Sequence, residues 1–234
     1  MKPIIEFRNV TYAYKNTTAL DALSFQIPSN SIVGLIGANG AGKTTSIHHI
    51  IRYLHPDNGE ILYSGRDIYK LSSNMYPVAY IPDVPVFYEE LTVQEHLSFI
   101  GAMYKTEEKI SGLVHAFELQ NHLEKVPASL SKGTRQKLSI ACAFLRDSLI
   151  ILADEPFAGL DPKQINILKS FILDEKCKGK TIILSTHLLS MIENICDYYV
   201  LLEQGKLLGQ GKLEELMCNQ KWKTLEEAYL QLSK

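Results

Sequence analysis

The spacing of polar and apolar positions changes character along the chain. Near the amino terminus, "IIEF" and the alternation of Leu23, Phe25 and Ile27 with polar neighbours predict antiparallel strands. His55-Pro56-Asp57-Asn58-Gly59 predicts a turn, with "EILY" behind it as a return strand. Five other short runs are apolar throughout: "IVGLI" (Ile32–Ile36), "VAYI" (Val78–Ile81), "LIILA" (Leu149–Ala153), "TIIL" (Thr181–Leu184) and "YYVLL" (Tyr198–Leu202). Such β-branched runs suit strands buried on both faces of a mostly parallel sheet. Helical spacing lies between them, as at Ile47, Ile50, Ile51 and Leu54, and it dominates from about Pro85 to Asp147. Within that region Leu138, Ala141, Cys142 and Leu145 form one amphipathic stripe. "LLEQGKLLGQG" predicts a late hairpin, and Leu213 to Leu232 an amphipathic helical tail. The pattern is α/β, with an N-terminal antiparallel β subdomain and a helical subdomain.

Length and charge narrow the class. The 234 residues suit one domain over 1–234, with its helical subdomain at about 85–147 and the tail at about 213–234. Hydrophobic residues make up 46% and charged residues 21%, an ordinary globular balance. Twenty-four Lys+Arg against 26 Asp+Glu leave a net charge of −2, and no basic run predicts a nucleic-acid partner. Cys142, Cys177, Cys196 and Cys218 show no metal-ligand spacing and fit reduced thiols. His48 and His49 are adjacent, so they diverge on a helix and read as a solvated face. Met1 to Glu6 is no signal peptide, and the apolar runs fall far short of the roughly 20 residues that span a bilayer. A chain soluble by itself is expected, which leaves room for a membrane partner.

Candidate chemistry gathers at the ends of the apolar runs. "GANGAGKTT" follows Ile36 at once and reads G-x-x-x-x-G-K-T, with Gly37, Gly42, Lys43 and Thr44. Its glycines, Gly40 among them, let backbone N–H groups converge on phosphate oxygens. Lys43 would reach the β- and γ-phosphates, and the Thr44 hydroxyl would ligate Mg²⁺. The expected nucleotide contacts are Gly37, Asn39, Gly40, Ala41, Gly42, Lys43, Thr44 and Thr45. "LIILADEP" ends in Asp154 and Glu155, which alone suits a solvated strand end equally well. Beside a phosphate loop the pair reads as one carboxylate for the metal and one to polarise water. "TIILSTH" places His187 just past a later strand. Ligands of open α/β sheets bind at the carboxyl ends of strands, where all three motifs fall. "LSKGT" is harder to place. Ser131 and Gly133 open a helix with free N–H groups, but no nucleophile, base or metal ligand accompanies them; alone, Ser131 reads as an N-cap.

The phosphate loop, "LSKGT", the Asp-Glu pair and the later histidine together resemble the nucleotide-binding subunit of an ABC transporter, over nearly the whole chain. The resemblance implies a P-loop NTPase core, Mg²⁺-dependent ATPase activity with Lys43, Glu155 and His187 as catalytic residues, and ATP as ligand. It implies a dimer in which Ser131 and Gly133 bind the γ-phosphate of ATP held by the other subunit, a homo- or heterodimer. "LSKGT" is then half a site completed by another chain. Tyr14 resembles the aromatic that stacks on adenine, with Tyr12 the weaker candidate. Ala158-Gly159-Leu160-Asp161 resembles the loop that crosses the dimer interface.

"YIPDVPVFYEELTVQEHL" resembles the segment that meets the membrane domain and usually carries a glutamine; here Asp83 stands in its place. Asp83 is read either as a Mg²⁺ contact, with Thr44 and Asp154, or as a cap on the turn before Pro85. Val86, Phe87 and Tyr88 suit a permease groove or packing within the helical subdomain equally well. Lys132 and Thr134 depart from the usual signature, and "PVFYEELT" with "LSKGTRQK" looks like the Ecs-type branch of ABC-2-like bacterial exporters. The expected function is an ATPase subunit at the cytoplasmic face of the membrane that drives a separate permease as an exporter. The rivals are a soluble ABC-type ATPase and an ATP-dependent switch outside transport. No N-K-x-D element supports a GTPase.

Overall fold

A computed structural model describes residues 2–72, 75–217 and 225–232. The amino-terminal strands β1 (Pro3–Tyr14) and β2 (Thr17–Pro28) form a long antiparallel hairpin. Strand β4 (Asn58–Tyr63) pairs antiparallel with β1, and the short β5 (Arg66–Asp67) completes a four-stranded sheet. Asn58 and Gly59 are therefore strand residues, not the expected turn. Gly59 has φ +86, and a Cβ there would stand 2.3 Å from the Asn9 carbonyl oxygen, so the two strands close on it at an irregularity in register.

The second sheet has the order β10-β9-β3-β8-β7-β6. Its strands are β3 (Ile32–Ile36), β6 (Val78–Ile81), β7 (Ile150–Asp154), β8 (Thr181–Thr186), β9 (Tyr198–Glu203) and β10 (Lys206–Gly211). Only β10 runs antiparallel, as the second arm of the expected hairpin. The runs are apolar throughout because each face meets a different core. Ile32, Ile36, Ile151, Ala153, Ile182 and Leu184 pack toward the helical side. Val33, Leu35, Ile150, Leu152, Ile183 and Val200 pack toward the first sheet.

Helix α1 (Lys43–Ile50) follows β3 directly. His49, expected on a solvated face, is fully buried: its Nδ1 lies 2.8 Å from the Thr45 carbonyl oxygen and its ring meets Tyr12 edge-on. Helices α2 (Val93–Tyr104), α3 (Ile110–Ala116) and α4 (Lys132–Leu145) lie between β6 and β7, and α2 opens with a capping box of Thr92 and Glu95. Helix α5 (Pro162–Cys177) leads into β8, and α6 (Leu189–Ile192) follows it. The tail is two helices, α7 (Leu213–Met217) and α8 (Leu225–Leu232); residues 218–224, with Cys218, lie outside the described residues. No helix among the described residues is long and apolar enough to cross a membrane.

One buried charge cluster ties the helical layer to the sheet. Lys180, at the entry to β8, pairs with Glu175 of α5 and with Asp147 beyond α4 at 2.7 Å, while Lys109 reaches Asp147 at 3.2 Å. Burial acts to raise the Glu175 carboxyl, but Lys178 at 2.6 Å and Lys180 hold it below its ordinary range, while Asp147 and Glu175 raise Lys180 against its own burial. A lowered carboxyl contributes stability at neutral pH that is lost as pH falls through its folded value. Lys180→Met should cost about 2 kcal/mol by urea unfolding at neutral pH, because Glu175 keeps Lys178 but loses its buried partner. Adding Glu175→Leu should recover most of that loss; an additive second loss would show that the pair is not coupled.

Candidate active site

The parallel register sets several polar groups along one edge. Ile36 lies beside Thr186, Asp154 beside Ser185, and Ile81 beside Ala153, so the segments leaving β3, β8, β7 and β6 emerge together. A cleft of about 370 Å³ opens there, lined by Tyr14, Thr17, Asn39, Gly40, Gly42, Lys43, Thr44, Thr45, Asp83, Asp154 and Glu155. Tyr14 is 45% exposed at its rim, while Tyr12 turns to His49.

Gly37 and Ala41 form the back of the loop. A Cβ at Gly37 would stand 2.6 Å from both the Leu202 carbonyl oxygen and the Ala41 Cβ. Lys43 is 7% exposed, and its Nζ donates to the carbonyls of Gly37 at 2.7 Å and Ala38 at 3.1 Å. Burial lowers the Lys43 pKa, with the Glu155 and Asp154 charges acting against that shift. The Thr44 hydroxyl donates to Asp154 Oδ2 at 2.8 Å, and the Ser185 hydroxyl to Oδ1 at 2.5 Å. Each Asp154 oxygen thus accepts one hydroxyl, at 2% exposure, and keeps an acceptor position.

Glu155 turns away from its neighbour. Its φ of +46 is left-handed, its N–H donates to the Ser185 carbonyl at 2.9 Å, and its carboxylate faces the end of β8. Oε1 accepts from the His187 N–H at 3.1 Å and lies 2.7 Å from Nδ1, while Oε2 accepts from the Thr186 hydroxyl at 3.0 Å. Ser185 and Thr186 were overlooked in the sequence, although "TIILSTH" contains both; hydroxyls beside a later strand's end were the available signal.

Ser131 and Gly133 lie outside the lining of this cleft. Ser131 is the N-cap of α4, accepting from the Thr134 N–H at 3.2 Å. A Cβ at Gly133 would stand 2.5 Å from the Gly159 carbonyl oxygen, so the glycine permits two loops of one chain to touch.

A phosphate loop with a hydroxyl-bound aspartate and a pinned glutamate at a parallel sheet edge defines a P-loop nucleoside triphosphatase cassette. Residues 20–158 match the model of the ABC transporter family. The chain is 37% identical to the ABC-type transporter ATP-binding protein EcsA of Bacillus subtilis (strain 168), over 99% of this chain and 97% of that one. It is 29% identical to the lipopolysaccharide export system ATP-binding protein LptB of Haemophilus influenzae (strain ATCC 51907 / DSM 11121 / KW20 / Rd), over 94% and 95% of the two chains. A solved ATP-binding subunit of an ABC transporter superposes with a TM-score of 0.91 at 36% identity, covering 99% of this chain and all of that one. The chain belongs to the ABC transporter ATP-binding family.

Asp83 lines this cleft with Asp154 and Glu155. Burial raises its pKa, the Asp154 and Glu155 charges add to that, and Lys132 and His187 oppose it. Among the described residues no hydrogen bond to its carboxylate caps the turn before Pro85. A raised carboxyl supplies stability below its unfolded value that is lost as pH rises through the folded one. Without metal or nucleotide, Asp83→Asn should therefore melt higher than the parent at pH 7, with the difference closing below about pH 4. Equal melting temperatures at pH 7 would show that this charge is not under repulsion.

Proposed function

We propose that the chain is the Mg²⁺-dependent ATPase subunit of an exporter, peripheral to the cytoplasmic face of the membrane. Two such subunits close on ATP, with Ser131 and Gly133 of each meeting the γ-phosphate held by the other, and closure drives a separate permease. The observation that carries this reading is the division of one motif set: the loop, Asp154 and Glu155 share a cleft that Ser131 and Gly133 do not line. The exporter direction draws support from the export system named for the Haemophilus relative.

The donor set fits the metal. Thr44, Asp154 and Asp83 offer hard oxygens, and Mg²⁺ is commonly held by one or two carboxylates with substrate phosphates and water. When bound, Mg²⁺ would neutralise charge developing on the phosphates. Asp83 faces the same cleft, where a water-mediated contact to the metal would relieve its repulsion from Asp154. Lys43 and the loop N–H groups would hold the phosphates, and Tyr14 would stack on adenine. The two carboxylate oxygens of Glu155 have about four acceptor positions, and three are taken by Thr186 and His187. The remaining one, on Oε2, suits a water that attacks the γ-phosphorus as its bond to the bridging oxygen breaks and ADP leaves, with Glu155 taking the water's proton and His187 holding the carboxylate in place.

The permease is proposed to seat a short helix in a second groove of about 640 Å³ between β6, α2 and α4, lined by Val86, Phe87, Tyr88, Phe99, Tyr104 and Cys142 among others. The two sequence readings divide by residue here. Phe87 packs against the core, between His96 and Arg135, whereas Tyr88 is 62% exposed.

Glu155→Gln should lower ATP turnover by roughly 10²- to 10⁴-fold, the usual worth of a general base, and trap an ATP-bound dimer on size exclusion. Adding Ser131→Gly, which keeps most of the capping stability, should abolish that dimer while monomers still bind ATP. Unchanged turnover in the first variant removes Glu155 from the chemistry; a persistent dimer in the second removes Ser131 from the interface.

Tyr88→Ala should weaken co-purification with the permease without lowering the melting temperature, since the ring is largely exposed. A clear drop in melting temperature would instead assign Tyr88 to the core.

A further inference from the structure

The C-terminal helix reaches the phosphate loop. Tyr229, in the second turn of α8, places its hydroxyl oxygen where the Ala38 N–H donates to it at 2.9 Å. The same hydroxyl stands 3.5 Å from the Leu202 carbonyl oxygen, the atom that Gly37 approaches from the other side. The Gly37–Ala38 peptide is thus held at both ends: its carbonyl by the Lys43 ammonium at 2.7 Å and its N–H by Tyr229. The helix is anchored firmly enough to act as a strap. Leu225 is fully buried in the core on the helical side, and its N–H donates to Glu193 Oε1 at 3.0 Å, just beyond α6. The α6 helix begins two residues after His187, so α8 spans the elements that follow both the phosphate loop's strand and the Glu155–His187 corner.

We infer that Tyr229 is a positioning residue for nucleotide binding, holding the Gly37–Ala38 peptide so that the phosphate loop and Lys43 are set before the nucleotide arrives. This rests on the proposed nucleotide site. A hydrogen bond at the N–H of a peptide strengthens its carbonyl as an acceptor, so the tyrosine firms the seat of Lys43 from outside the cleft. A loop already in its binding shape loses less conformational freedom when phosphates bind, and the gain shows as affinity. By reciprocity, bound nucleotide should tighten α8 on the loop.

The test is Tyr229→Phe in the full chain, which keeps the ring and its packing and removes the hydroxyl, with its bond from the Ala38 N–H and its longer contact to the Leu202 carbonyl. ADP binding by calorimetry and the KM for ATP should weaken roughly three- to tenfold, as loss of one neutral hydrogen bond implies, with most of kcat retained and the melting temperature close to the parent's. In the parent, ADP should slow hydrogen exchange in residues 225–232 as well as in the loop, and in Tyr229→Phe this tail protection should shrink. Tyr229→Ala serves as comparison. If Tyr229→Phe binds as the parent does, the hydroxyl has no positioning role, whatever Tyr229→Ala does. Weakening that only tracks a fall in melting temperature would also overturn the inference, as a matter of packing. A parent chain that binds no ADP would overturn the nucleotide site itself, a separate outcome read before any variant is compared.

Discussion

The buried carboxylate of Asp154 is the constraint around which the site is arranged. An ionised carboxylate at 2% exposure costs several kcal/mol unless its oxygens are bonded and compensated. The solution here joins three elements: the Thr44 hydroxyl from the start of α1, the Ser185 hydroxyl from β8, and the nearby Lys43 ammonium. Ser185 can serve because it is the register partner of Asp154 in the neighbouring parallel strand. Thr44 can serve because α1 begins directly at the phosphate loop. Shifting any one of these segments would leave the carboxylate without an acceptor's partner, so the charge itself holds the edge of the sheet in register.

Glu155 shows how one chain step can separate two like charges. Placed in an ordinary extended conformation it would continue β7; its φ of +46 instead ends the strand and aims the side chain along the sheet edge. That backbone region costs an L-residue roughly 1–2 kcal/mol. The Ser185 carbonyl, the Thr186 hydroxyl and the His187 N–H together offset it. Adjacent acids thereby acquire different surroundings, one enclosed by hydroxyls and the other pinned at a more open corner.

Legibility in the sequence followed the range of the interactions. The five apolar runs are parallel strands in one sheet, because burial on both faces leaves a local signature that needs no knowledge of partners. The glycine-rich loop was readable for a similar reason: its residues act on one another over six positions. Asn58-Gly59 misled because a glycine that admits a neighbouring strand and a glycine that makes a turn look alike. His49 misled because one apolar face was assumed for α1, while the helix is enclosed by both sheets and buries His49 against Tyr12. Ser185, Thr186 and Tyr229 escaped because their partners lie 31, 31 and 191 residues away in sequence.

The two loops outside the cleft are bound to each other more tightly than to it. Gly133 at the start of α4 touches the carbonyl of Gly159, leaving no room for even a methyl group between them. Just beyond Gly159, Lys163 and Gln164 of α5 both bond Glu118 past the end of α3, and Lys137 of α4 lies near the same carboxylate. The start of α4, the end of α3 and the start of α5 therefore form one mechanical unit. The first turn of α4 holds no acidic residue, and its end is capped by the neutral Ser131 hydroxyl, which accepts from the Thr134 N–H. The 158–161 loop that Gly133 touches leads back in the chain to the strand that carries Asp154. The start of α4 and the edge of the sheet are thus joined through packing, with Gly133 and Gly159 as the point of contact.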